Sequence, residues 1–552
     1  MLYFTRVSTA LLAFCLLLTL AACESGSGPA ANNGTLPLAP RQVLTFPNVG
    51  TQEIGYLDPA QQPDPNDPTQ GPDPNSALGV GMLYSGLVRF DKALNVVSDQ
   101  ATWSISPDNR VYTFYLKPGI TFSDGTPVTA QSYVYTLTRA LLPEVKSPVA
   151  STLEGSIVGA KAVSTGKTKT LAGVKAPNAQ TVRITLVQPS PFFLKLLANP
   201  LYFPLNKRLI DQYGQTDWVN HAPGSGVGTG PFMLKEWDHN VKMILVPNPH
   251  YYGAKTRLTE VNMVFVNEPG TAFASYRAGQ YDFMWNIQQN DRAAAKGMSG
   301  FISTPLLQTD LLFFNTTMPP FDKVEVRQAF AYAIDKVMLA HNLFKDSVVP
   351  AQTIIPPGMP AYQPNYPGLA YDATKAKSLL QSVYPNVNAV PTITFSYPTS
   401  ELSLAEAGTL RRMWLTALGG VQLKLFPTEL NAYLDEKASH QIQLGFTEWN
   451  AYYPDPYDWL ARNLLSTAPN NSSQWVNANF DQAIFQAEQA SGDARIALYN
   501  QAEQIAINDV AWLPLDHQSM AAVIPSWVHG ITLNGMGLYF GDWSTVYLSP
   551  HS

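Results

Sequence analysis

Apolar and polar side chains alternate along residues 111–116 (VYTFYL) and again along 181–187, the period of a strand that buries one face. Along 130–142 and 192–197 the apolar positions recur every three or four residues instead, as on an amphipathic helix. Further on, this spacing predicts helices over 324–343, 374–383, 402–418 and 480–509. Short apolar runs between them predict strands over 393–397, 422–426 and 441–446. Interleaving of this kind predicts an α/β chain whose helices cover a sheet. A first strand is predicted over 43–49. Residues 61–74 (QQPDPNDPTQGPDP) space their prolines too closely for helix or strand and are predicted as a loop. No internal repeat of fixed period is visible.

The N-terminus follows neither period. One cationic side chain in residues 1–6 precedes an apolar run, 7–20, that ends in Leu20, Ala21, Ala22 and Cys23. A run of about 14 apolar residues falls short of the roughly 20 that span a bilayer, so residues 1–22 read as a secretory signal. The last four residues resemble the lipobox of bacterial lipoproteins. That implies diacylation of the Cys23 thiol, removal of the residues before it, and a stable membrane anchor. Residues 23–40, small, polar and proline-containing, are expected to form a flexible tether.

Composition removes several chemistries. Both cysteines, Cys15 and Cys23, lie in the signal region, which leaves the mature chain no thiol for a disulfide, a zinc site or a nucleophile. The eight histidines show neither H-x₃-H nor HExxH spacing, so no metal site is expected, and no cofactor is implied. A net charge of −6 without a Lys/Arg cluster gives no nucleic-acid footprint. Neither a GxSxG elbow nor a GxxxxGK[ST] phosphate loop is present, so a hydrolase is a remote alternative and any ATP hydrolysis belongs to another subunit.

Residues 112–139 (YTFYLKPGITFSDGTPVTAQSYVYTLTR) read as a strand, turns at Pro118-Gly119 and Asp124-Gly125, and a helix capped by Thr129 and starting at Ala130. The segment also resembles the signature of the extracellular solute-binding proteins of peptide and nickel ABC importers. Further blocks resembling that family follow in order. They are Val227 to Phe232 (VGTGPF), Asn248 to Tyr252 (NPHYY), and Phe314-Asn315 leading to Val326-Arg327-Gln328-Ala329 and Ile334-Asp335. After these come Trp449 to Pro456 (WNAYYPDP) and Trp512-Leu513-Pro514-Leu515. One such block is a weak signal, but six in order over nearly the whole mature chain are specific. The likeness is greatest to the oligopeptide-binding branch.

The resemblance implies an α/β, two-lobed periplasmic-binding-protein-like fold (type II, cluster C) with an extra domain in the first lobe. On this chain, residues 41–84, 204–304 and 518–552 would build lobe I, 85–203 the extra domain and 305–517 lobe II. The path would cross between lobes near Pro305 and Asp516. An oligopeptide would be enclosed as a monomeric receptor closes on it, and then passed to an ABC permease and its ATPase subunits.

Trp449, Asn450, Ala451, Tyr452 and Tyr453 follow a predicted strand, where open α/β sheets place ligands, and the resemblance makes them ligand contacts. That segment usually holds an aspartate for the peptide's α-ammonium group. Here the place is taken by Tyr452, which carries no formal charge near neutral pH. Asp455 is expected either at the ligand or as a turn cap. Pro74, Asn75 and Ser76 occupy the place where family members offer main-chain groups. Lys437 falls near a basic position that meets a ligand carboxylate, and Asp516 and His517 are expected to line the cleft. An alternative ligand is a cello-oligosaccharide, stacked on the aromatics near Trp449.

Overall fold

Two long antiparallel strands, Phe301–Phe314 and Trp512–Val523, each run through two hydrophobic cores. Leu311, Leu312, Phe313 and Phe314 pack with Trp512, Leu513 and Leu515 in one core. Ala521, Ala522 and Val523 belong to the other, with Phe301 and Ile302 packed against it. Between these apolar ends the register shifts twice, from Pro305 to Thr309 and from Asp310 to Leu311. The chain therefore passes twice between two lobes. This computed structural model describes residues 37–63, 73–539 and 543–551; the expected signal, Cys23 and most of the expected tether lie outside them.

The second lobe is a six-stranded sheet in the order Val349–Pro350, Trp512–Val523, Phe301–Phe314, Leu444–Asn450, Ile393–Pro398, Leu423–Thr428. Helix Glu401–Leu418 closes one face by setting Trp414 against Phe330 and Phe395, with ring centres 5.2 and 5.5 Å apart. The first lobe holds a four-stranded sheet in which Val43–Val49 pairs in parallel with Glu260–Val266. A third core surrounds an antiparallel sheet of Ala101–Ile105, Val111–Leu116, Thr181–Thr185 and Val174–Asn178. Arg139 ties it to the first lobe with a buried fork to Asp58, donating at 2.7 and 3.1 Å.

Several predicted elements change at their ends, each for a local reason. The helix predicted over 324–343 is two, Val324–Tyr332 and Lys336–Asn342, because Asp335 caps the second by accepting the Met338 N–H at 2.9 Å. That predicted over 480–509 breaks before Gly492, whose φ of +56° lies in the left-handed region. The strand predicted over 441–446 is Leu444–Asn450, which places Trp449 and Asn450 within the sheet. The loop prediction fails at Pro74, which opens helix Pro74–Leu83 with Asp73 as its cap.

The Val227–Phe232 block crosses the end of that helix. The Gly230 N–H donates to the Leu83 carbonyl at 2.9 Å, and the Ser85 N–H and the Gln100 amide both donate to the Thr229 hydroxyl. A Cβ on Gly228 would sit 2.0 Å from the Leu83 carbonyl oxygen. Gly228→Ala should therefore destabilise by about 1–3 kcal/mol through overpacking, read as a lower denaturant midpoint at unchanged slope.

Candidate ligand cleft

Strand Leu444–Asn450 ends at the mouth between the lobes. On one side it is fully laddered, with Trp449 opposite Thr309 and Asn450 opposite Gln308, and the Ala451 N–H donates to the Leu307 carbonyl at 2.9 Å. On the other side it meets Ile393–Pro398 only at Leu444 and Gly445. Beyond Gly445 that edge has no strand partner among the described residues.

Tyr452 is held just past this edge by Asp458, which accepts the Tyr452 N–H at 2.9 Å and the Trp449 indole N–H at 3.4 Å. The Arg462 guanidinium donates to the same carboxylate at 2.8 Å and lies over the Trp449 and Tyr452 rings, 5.5 and 5.3 Å from their centres. Burial, outweighing that arginine, pushes the Asp458 carboxyl up to about 6. Across the cleft, Tyr56 titrates well above an ordinary phenol because it is buried, with Asp73 and Tyr452 adding to the effect. Tyr452 thus lies within electrostatic reach of Tyr56 in the first lobe. Pro74 itself is exposed and lines a first-lobe hollow of about 330 Å³ whose apolar walls include Leu78, Phe90, Trp285 and Met520.

Other residues expected at the ligand turn out to be committed elsewhere. Ser76 is buried, its hydroxyl accepting the N–H groups of Gly55 and Tyr56 at 2.7 and 3.3 Å. The Asn75 carbonyl accepts from the Asn48 amide. Ala451 is buried, and Tyr453 is buried against Phe192, which stacks between Tyr453 and Tyr457 at 5.5 and 4.3 Å. His517 is also buried, bonded to the Thr309 and Thr353 hydroxyls, and burial holds it neutral with its pKa down to about 3. Asp455 caps helix Pro456–Leu464 and accepts from Arg495 at 2.6 and 3.0 Å and from Lys195 at 3.0 Å. With 1% of its side chain exposed, it is a clasp between the third core and the second lobe rather than a ligand contact.

Asp516 and Lys437 belong to a group that the sequence did not reveal. Asp310 lies opposite Asp516 on one neighbouring strand and opposite Glu448 on the other, so three carboxylates share a row on one sheet face. Glu406, from helix Glu401–Leu418, stands near them, and burial pushes its carboxyl up to about 8, with Asp310 adding. Lys437 is half-buried beside Glu448, which opposes but does not cancel the lowering of its pKa by burial. The row depends on pairing between strands more than 60 residues apart, which no local pattern reports.

A two-lobed α/β body joined by crossing strands, with an open strand edge facing the other lobe over a cleft, is the architecture of a protein that binds extracytoplasmic solutes. Residues 99–471 match the family described as bacterial extracellular solute-binding proteins, family 5 Middle, and the chain belongs to it. A relative named probable deoxycholate-binding periplasmic protein YgiS, from Escherichia coli, is 31% identical over 93% of this chain and 95% of its own length. The periplasmic murein peptide-binding protein MppA of E. coli is 31% identical over 82% of this chain and 85% of its own. The unliganded open form of MppA superposes with a TM-score of 0.79 at 29% identity, over 94% of this chain and 99% of that one.

The clasp gives a test. Burial raises the Asp455 pKa, but Lys195 and Arg495 lower it further, so the net shift is downward. A carboxylate depressed in the folded state stabilises above its unfolded pKa of about 3.9, and that contribution is lost as pH falls through the folded value. Asp455→Asn should cost about 3–5 kcal/mol near pH 7 by leaving two cations uncompensated, and the gap between the two proteins' denaturant midpoints should close below about pH 4.

Proposed function

We propose that this chain is a lipid-anchored substrate-binding protein of an ABC importer that captures oligopeptides between two closing lobes and delivers them to a membrane permease. The observation that carries the reading is the edge of Leu444–Asn450 beyond Gly445, which has no strand partner among the described residues and where the Phe446 carbonyl accepts from the Tyr433 hydroxyl. An extended peptide would add to this edge as a strand, so that main-chain pairing supplies affinity whatever the side chains are. Relatives named for oligopeptides and murein peptides support the ligand class. Closure then follows from ligand contacts that exist only when both lobes meet.

A second reading comes from the relative named for deoxycholate. The apolar first-lobe hollow would suit such an amphipathic solute, although an anionic bile acid would meet the carboxylate row of the second lobe.

Calorimetry of the purified protein against a tetrapeptide mixture and against deoxycholate separates the two. Heat and a thermal shift with peptides are expected; a response to deoxycholate with none to any peptide would overturn the peptide reading. Tyr452→Ala should weaken peptide binding while leaving the folded spectrum intact, and unchanged affinity removes Tyr452 from the site. Cys23→Ser should move the protein from the membrane fraction to the soluble one, and retention in the membrane would count against acylation.

A further inference from the structure

Two carboxylates placed opposite each other on adjacent antiparallel strands repel, and such pairs are ordinarily separated or neutralised by a cation. In this chain Asp310 and Asp516 are so placed, Glu448 extends the row, and Glu406 comes from the overlying helix. Neither Asp310 nor Asp516 forms an ion pair among the described residues. Among the described residues the side-chain partners of the two carboxylates are amides: Gln518 donates to Asp310 at 2.6 Å and to Asp516 at 3.1 Å, and Gln308 reaches Asp310 at 3.4 Å.

The decisive atom is Oδ2 of Asp516. The residue is 2% exposed, and this oxygen has no hydrogen-bond partner among the described residues. Since Oδ1 shares the Gln518 amide with Asp310, Oδ2 is the acceptor left over. A buried carboxylate oxygen without a donor costs free energy unless something arrives to satisfy it. Asp310 and Glu406 are half-buried and Glu448 is exposed, so the row is reachable from solvent.

The nearby lysines do not fill this role. Lys336 is buried with its ammonium spent on the Ala351 carbonyl at 2.8 Å, and burial, only partly offset by Asp516, brings its pKa down to about 7. Lys437 is likewise depressed and lies beside Glu448 at the outer end, 3.5 Å from the Thr447 hydroxyl. No group of three or more His, Cys, Asp or Glu among the described residues is arranged to hold a metal ion. An organic cation, with several N–H donors spread over a larger radius, suits a row of carboxylates better.

We propose that Asp310 and Asp516, with Glu406 and Glu448 at the rim, form a subsite for an ammonium or guanidinium group of the bound solute. The proposal rests on the solute-binding reading above and names the chemistry the cleft selects. It also gives a place for cation recognition in a chain whose Tyr452 supplies no charge. Burial and mutual repulsion raise the carboxyl pKa values of Asp310 and Asp516, so the empty row carries protons that an incoming cation displaces. Deprotonation of Lys336 and Lys437 at higher pH makes the row more negative, in the same direction. Affinity for a cationic ligand should therefore rise between about pH 5.5 and about pH 8.

The test is calorimetry of the full mature chain with Ala-Ala-Lys-Ala, its norleucine analogue and the N-acetylated form of each. These arms separate a side-chain cation from the α-ammonium group. Removing one of the two cations should weaken binding by about tenfold or more, and that loss should vanish in the Asp310→Asn, Asp516→Asn double variant. If neither change alters wild-type affinity, or if the loss persists undiminished in the double variant, the subsite is refuted while peptide binding stands. If no peptide binds but cadaverine raises the melting temperature of wild type and not of the double variant, the subsite holds and the peptide reading falls. If neither peptides nor cadaverine bind, both fall. Should the double variant fail to fold, Glu406→Gln, on its half-exposed helix, carries the same comparison.

Discussion

Everything in this molecule depends on the pairing of Phe301–Phe314 with Trp512–Val523. Their apolar ends are buried in different cores, so each strand is anchored in both lobes, and the two register shifts fall between those ends. Neither lobe can lose these strands without exposing the core of the other. The lobes have separate cores yet share two strands, an arrangement suited to a receptor that bends without unfolding.

The parts legible in the sequence were those set by short-range rules. The alternation of Val111–Leu116 and the Thr129 cap before Ala130–Arg139 depend on neighbours within a few residues, and both are seen in the structure. Predicted and observed elements differ at their ends where one residue outweighs the period, as Asp335 does by starting a new helix inside an apolar run. Site residues were harder, because the same residue type serves either purpose. Asp455 between its prolines looks as available as Asp516, and only the arrival of Arg495 and Lys195 from distant segments separates them. A lone aspartate in a strand, as Asp310 is, has no sequence signature until its partners are known.

Asp455 and Asp516 illustrate how burial alone decides little. Each exposes almost nothing to solvent, yet one is saturated by two cations and a helix cap and titrates low, while the other faces a second carboxylate and titrates high. The first kind of site holds domains together; the second leaves a demand unmet.

That unmet demand has a consequence for the life of the protein outside transport. Acidic groups buried in one row subtract from the stability of the empty form, whether they stay charged or take up protons. A receptor built this way is at its most fragile when unoccupied. Scarcity of solute would then shorten its survival among envelope proteases, and supply would extend it, with no regulator beyond the row itself.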